Sequence, residues 1–183
     1  MIPIHHRYKV LSMTFILSIM QVSVVQAVQT CESTIPNTTP TADFTVHNNG
    51  TVTHTPTGLM WKVCSEGQTW QSSDGSCSGT ATKHTWQAAL QIPQTLNTQG
   101  GYADHTDWRL PNIKELGSIV ELACYGPAIN TALFNNTSYL AYWSATINNY
   151  SNDYAWAVQF TSGYRNQERR IVSNHVRLVR SGQ

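Results

Sequence analysis

Five arginines, Arg165, Arg169, Arg170, Arg177 and Arg180, fall between Tyr164 and Gln183, where Glu168 is the one acidic residue. A guanidinium presents a rigid fork of donors that fits the oxygens of a carboxylate or a sulfate, so this end of the chain has the chemistry to hold an anion. Just upstream, Asn148-Asn149-Tyr150-Ser151-Asn152-Asp153-Tyr154 draws on only four residue types. Tyrosine gives large rigid contact area and asparagine adaptable hydrogen bonds, the mixture that recognition loops favour. Tyr150, Tyr154 and Tyr164 together with Arg165, Arg169 and Arg170 are therefore the candidate ligand-binding residues. The expectation is that the segment from Tyr164 to Arg170 folds back beside the tyrosine loop and supplies its electrostatic anchor. Arg177 and Arg180 alternate with Val176, Leu178 and Val179 and are expected to make structural ion pairs instead.

The remaining reactive side chains point to stapling rather than catalysis. No two of Cys31, Cys64, Cys77 and Cys124 have the Cys-x-x-Cys spacing that structural zinc favours, and an exported chain oxidises its thiols. Of the three pairings, the expected one joins Cys64 to Cys77 across a short Gly/Ser-rich loop and Cys31 to Cys124 across most of the chain. The histidines are scattered, and Asp104-His105-Thr106-Asp107 reads as a hydrogen-bonded loop. No phosphate-binding glycine loop, His-Glu-x-x-His or Gly-x-Ser-x-Gly occurs. Neither an enzyme nor a bound metal or cofactor is expected.

Those groups sit in a chain of 183 residues with 11% charged and 10% aromatic side chains, a composition for a polar-surfaced globule rather than a disordered or membrane-embedded chain. His5, His6, Arg7 and Lys9 followed by the apolar run Val10 to Val25 and by Val25-Gln26-Ala27 read as an export signal, residues 1–27, cleaved after Ala27. No membrane span is expected to remain, and the product would be secreted, periplasmic or held at the cell surface. The mature chain would carry nine basic and ten acidic side chains; its last twenty residues hold +4 and the rest −5. No nucleic-acid partner is expected, and an oligomer is compatible with the sequence.

Residues 28–42, Pro/Thr-rich, read as an extended tether, and the fold begins at Asp43. Phe44-Thr45-Val46-His47 and Thr51-Val52-Thr53-His54 alternate around Asn48-Asn49-Gly50, where Asn-Gly would supply the positive φ angles of a hairpin. Leu59 to Val63 is another expected strand, and Ser65 to Lys83 a long polar loop. Thr85 caps a helix carrying Trp86, Ala89 and Leu90, which Pro93 is expected to kink or end early. Asn112 and Glu115 form a capping box before the apolar stripe Leu116, Ile119, Val120, Ala123. Aromatic strands follow at Tyr142 to Thr146, Ala155 to Phe160 and Val176 to Arg180. The fold class is α+β, two helices packed on antiparallel strands.

Thr57-Gly58-Leu59-Met60-Trp61, Thr85-Trp86-Gln87-Ala88-Ala89, Thr106-Asp107-Trp108-Arg109-Leu110-Pro111-Asn112, Tyr142-Trp143-Ser144 and Val176-Arg177-Leu178-Val179-Arg180 occur in an order that resembles the Lcl C-terminal domain family, from about Asp43 to Arg180. The family takes its name from the C-terminal domain of the Legionella collagen-like adhesin. The resemblance implies a C-type lectin-like fold with long disulfide-held loops, residues 43–183. It also implies an exported module that recognises an anionic or sulfated polysaccharide, or a surface partner; on residue chemistry the C-terminal loops are the expected contact, with Tyr150, Tyr154 and Tyr164 stacking on sugar rings. Within the motif Trp108 and Leu110 should be buried, Pro111 should stop a strand, and Arg109 should meet a carboxylate. Neither Glu-Pro-Asn nor Trp-Asn-Asp of calcium-dependent lectins is present, so no lectin-type calcium site is expected. Two alternatives remain: an enzyme of the formylglycine-generating branch of lectin-like folds, which needs reactive or metal-bound cysteines, and a structural cell-envelope protein.

Overall fold

The structure, a computed structural model, describes residues 28–182, and the expected export signal lies outside the described residues. The N-terminal segment lies along the body and is fastened to it. Its strand β1 (Thr30–Cys31) pairs with Cys124–Tyr125, and Cys31 and Cys124 are disulfide-bonded. Gln29 Nε2 donates to the carbonyls of Pro127 and Ile129 at 2.6 and 2.7 Å. Further on, the buried Glu121 carboxylate accepts the backbone N–H groups of Thr38 and Thr39, each at 2.9 Å, and the Thr39 hydroxyl at 2.9 Å.

The expected hairpin forms from β2 (Phe44–His47) and β3 (Thr51–His54), with His47 opposite Thr51. Only Gly50 takes a positive φ, +82°, because the turn has three residues and needs one left-handed position rather than two. β4 (Leu59–Lys62) continues this sheet. The stretch expected as a plain loop contains a small hairpin, β5 (Thr69–Gln71) and β6 (Ser76–Ser78), stapled by Cys64–Cys77.

Thr85 caps α1 (Trp86–Thr98), its side chain accepting from the Ala88 N–H. This helix runs through Pro93 instead of ending there. One backbone bond is lost, but Leu90, Ile92 and Leu96 pack onto the core, and Asn97, beyond the proline, exchanges two hydrogen bonds with the Trp108 backbone at 2.8 and 3.1 Å. α2 (Ile113–Gly117) has the expected capping box. It stops sooner than the apolar stripe implied: Ser118 turns its hydroxyl back onto the Glu115 carbonyl at 2.7 Å, and Val120 bridges to Ile129. Ile119, Val120 and Ala123 are buried all the same, in turns rather than on a helix.

After β7 (Cys124–Tyr125) the chain enters β8 (Ala141–Ile147), β9 (Tyr154–Gln159) and β10 (Tyr164–Arg169), an antiparallel sheet in the order β10-β9-β8. β11 (Val179–Ser181) closes the first sheet, ordered β11-β4-β3-β2. Two apolar clusters lie on opposite faces of the β8–β10 sheet. Tyr142 and its register partner Val158 join Trp61, Leu116 and Phe134 on one side, whereas Trp143 and its partner Ala157 join Ala89, Trp108 and Leu178 on the other. α2 therefore covers one face and α1 the other. The result is mixed α/β with mostly antiparallel strands; among the described residues no helix is long and apolar enough to cross a membrane.

The family-motif residues take structural posts. Trp108 and Leu110 are buried, and Arg109 forms a two-pronged bond with Glu115, both at 2.7 Å. Arg180 pairs with Asp107 at 2.7 Å as expected. Arg177 does not make the expected ion pair. It is fully buried, and its guanidinium donates instead to the carbonyls of Lys62 and Val63 and to the hydroxyls of Ser65 and Thr137. The strand expected over Val176 to Arg180 is accordingly regular only from Val179, because Arg177 occupies β4 carbonyls at the earlier positions.

The two disulfides close loops of very different length, with sequence separations of 93 for Cys31–Cys124 and 13 for Cys64–Cys77. On loop-closure entropy, Cys31→Ser/Cys124→Ser is expected to lower stability by about 4.5 kcal/mol and Cys64→Ser/Cys77→Ser by about 3 kcal/mol. Urea unfolding of the two double variants measures the order, and a larger loss from the short loop would contradict it.

Candidate functional site

Because β10 pairs antiparallel with β9, its register fixes where each candidate residue goes. Arg169 lies opposite Tyr154 and Arg165 opposite Val158. The segment from Tyr164 to Arg170, expected as a loop, is thus an edge strand, and it does not gather all six candidates in one place. Arg169 and Arg170 stand beside Tyr150 and Tyr154 at one end; Tyr164 and Arg165 stand at the other, about 13 Å away at four residues of strand rise.

At the first end the loop from Asn148 to Asp153 is a tight tip. Asn148 is buried; its carboxamide donates to Gln167 Oε1 and accepts the Tyr150 N–H at 2.8 Å. Tyr150 is 97% exposed at the tip. The Asp153 carbonyl accepts the Arg170 N–H at 2.8 Å, tying tip and strand together. Arg170 itself is committed: its guanidinium lies 4.2 Å from the Trp86 ring centroid, and the Trp86 indole N–H is held by the Ser144 carbonyl at 2.9 Å. That stacking makes Arg170 a support for the strand end more than a free cation.

Alternation along β10 puts Arg165, Gln167 and Arg169 on one face and Tyr164, Asn166 and Glu168 on the other. Asn166 and Glu168 bond each other at 2.7 Å. Across from the first row, on β9, stand the half-buried Trp156 opposite Gln167 and Tyr154 opposite Arg169. The ion pairs among the described residues are Lys62–Glu66, Arg109–Glu115 and Arg180–Asp107, so Arg165 and Arg169 keep guanidinium groups that no carboxylate neutralises. An aromatic row beside two unneutralised guanidiniums can stack flat rings and bind anions at once. Trp156 was not among the sequence candidates. The signal was present in the Ala-Trp-Ala-Val alternation, which leaves Trp156 on the face opposite the two alanines, but it becomes a contact residue only once β10 is known to be its neighbour.

Near Arg165 the sheet borders an open groove of about 530 Å³ between Thr38–Thr39, the end of α2 and the β9–β10 turn. Two carboxylates elsewhere are firmly engaged. Asp107 is held below its usual pKa by the Arg180 hydrogen bonds. Burial would raise Glu121, but the N–H groups of Thr38, Ala123 and Thr39 outweigh it and bring the net shift down. Asp104 sits in a turn of positive φ, and among the described residues no group of three or more His, Cys, Asp or Glu is placed to hold a metal ion.

The architecture is an antiparallel α/β domain stapled by two disulfides, with two arginines outside any ion pair among the described residues on one edge strand, the build of a small cysteine-bridged module. The chain is a member of the Lcl C-terminal domain family, an adhesin-associated domain, whose match covers residues 50–180. No curated protein matches it.

Two buried histidines give the domain a pH signature. Burial pushes His54 and His175 below the ordinary 6.5, against a smaller upward pull from Asp43 on the first and the Thr82 carbonyl on the second. The unfolded chain therefore takes up protons that the folded one resists, so their effect is absent well above pH 6.5 and destabilises as pH falls below it. Asp107, Glu115 and Glu121, all shifted down, add a second loss below their ordinary values of 3.8 to 4.5. Melting temperature is expected to be flat above neutrality and to fall from pH 6.5 to 5. His175→Gln should flatten that slope, and an unchanged slope would assign it to other groups.

Proposed function

We propose that this protein is an exported, non-enzymatic binding module of C-type lectin-like fold that recognises an anionic, sulfated polysaccharide at a cell surface. The observation that carries the reading is the pair Arg165 and Arg169, unneutralised on one face of an exposed edge strand and flanked by Trp156 and Tyr154. A polymer bearing repeated sulfates or carboxylates can meet both guanidiniums along the strand while its rings lie on the aromatic row. Its ligand surface is thus the β9–β10 hairpin and the tip at Tyr150, a strand face rather than loops alone. Family membership supports an adhesive role, and the two disulfides support export. A reactive-cysteine enzyme would need a thiol, whereas all four cysteines are paired.

On an immobilised sulfated polysaccharide, Arg165→Ala/Arg169→Ala is expected to elute at clearly lower salt than the unmutated protein with the same melting temperature, since exposed charge pairs are screened over about 8 Å at physiological ionic strength. Arg170→Ala should behave differently: loss of the Trp86 stacking removes about 1 kcal/mol and a few degrees of melting temperature, with a smaller change in retention. Equal retention of the double variant would refute the reading.

A further inference from the structure

The groove at the Arg165 end is shaped by two glycines. Arg165 crosses α2 where Gly117 has no side chain; a Cβ there would stand 2.4 Å from Arg165 Nη2 and 2.8 Å from Nε. Gly163, at φ +78°, turns the chain so closely over Val120 that a Cβ would come within 2.5 Å of Cγ1. The guanidinium therefore lines the groove, with no ion pair or hydrogen bond among the described residues to hold it. Beside it Leu122, 64% exposed, gives an aliphatic surface at the groove's rim. Ser118 Oγ donates to the Glu115 carbonyl and keeps lone pairs free to accept a hydroxyl. One wall, Thr38–Thr39, lies ahead of the family match and is fixed in place by Glu121.

We propose that this groove is a subsite for a single acidic sugar residue, its sulfate or carboxylate on Arg165, its ring against Leu122, and a hydroxyl on Ser118. The proposal rests on the polysaccharide reading and adds where one unit of the polymer is recognised. It also makes the N-terminal segment, outside the family domain, part of the specificity of the site.

The test titrates the protein with glucuronate and glucose 6-sulfate, with glucose and inorganic sulfate as controls, following backbone amide shifts. Both acidic sugars are expected to move the Ser118, Gly163 and Arg165 amides, glucose to move none, and sulfate alone to bind at least about tenfold more weakly than the sulfated sugar. Gly117→Ala keeps every charge but puts a methyl where the guanidinium lies; the side chain's flexible end gives way, and alanine is the better helix former. Its melting temperature should be equal or higher, its affinity for either acidic sugar about tenfold lower, and its retention on the polymer column reduced, though less than in Arg165→Ala/Arg169→Ala, because both charges remain. Unchanged affinity in Gly117→Ala, shifts confined to other surfaces, or sulfate binding as tightly as the sulfated sugar would each overturn the subsite. If Arg165→Ala/Arg169→Ala loses polymer retention while no acidic sugar moves the groove amides, the subsite is wrong and the polymer reading stands. If the groove titrates but retention ignores both arginines, the polymer reading is wrong and the groove is a site for small acidic sugars in its own right.

Discussion

The guanidinium of Arg177 holds a full charge in a position with no exposed surface, and the arrangement of both sheets follows from satisfying it. Taking such a cation out of water costs several kcal/mol unless its donors are met. Here its two terminal nitrogens are met by the carbonyls at the end of β4, by Ser65 beside the Cys64 disulfide and by Thr137 ahead of β8, while Nε finds no hydrogen-bond partner among the described residues and the faces of Phe134 and Tyr142 lie 4.8 and 5.8 Å from its centre. Burial pushes its pKa down, with the opposing influence coming first from Tyr142. The Tyr142 hydroxyl shares Ser65 Oγ at 2.7 Å and accepts the Ser138 N–H at 3.2 Å, so the network reaches from the first sheet into the second. Moving any one of these segments would strand a donor of a buried cation, which makes the spacing between the sheets an all-or-none property.

That network also explains how the edge strand can be so polar. β8 and β9 are locked from both faces, by Tyr142 and Val158 under α2 and by Trp143 and Ala157 under α1. β10 then needs only a ladder with β9 and the short turn at Gly163 to form, and its side chains are free to serve the surface. Charge on an edge strand also discourages pairing with a second sheet, so the same arginines that can meet a ligand keep the edge from aggregating.

Much of the frame was legible in the sequence because it rests on local chemistry. Asn112 and Glu115 specify a helix start through their own hydrogen bonds, Gly50 specifies a turn through its φ, and the Trp108–Leu110 corner is bounded by Pro111. What escaped depends on partners distant in the chain. Tyr-Arg-Asn-Gln-Glu-Arg has no apolar alternation, since β10 buries neither face fully, and nothing in its residue types announces a strand. The ends of α1 and α2 were misjudged for the same reason: Asn97 meeting the Trp108 backbone carries one helix past its proline, and a hydroxyl at Ser118 closes the other after Gly117. The six candidate residues were expected together and are not, since residues along a strand are carried apart by its rise.

The bond between Cys31 and Cys124 has a mechanical meaning for an adhesin-associated domain. Tension entering through Gln29 and leaving through the C-terminal strands passes from Cys31 directly to Cys124 and on into β7, so the covalent path skips every residue from Glu32 to Ala123. The first hairpin, both helices and the smaller stapled loop are thereby unloaded. Force falls on the stretch from Tyr125 onward, where the β8–β10 sheet carries the uncommitted arginines. The strand that carries the arginines outside any ion pair among the described residues is also the part that bears the pull.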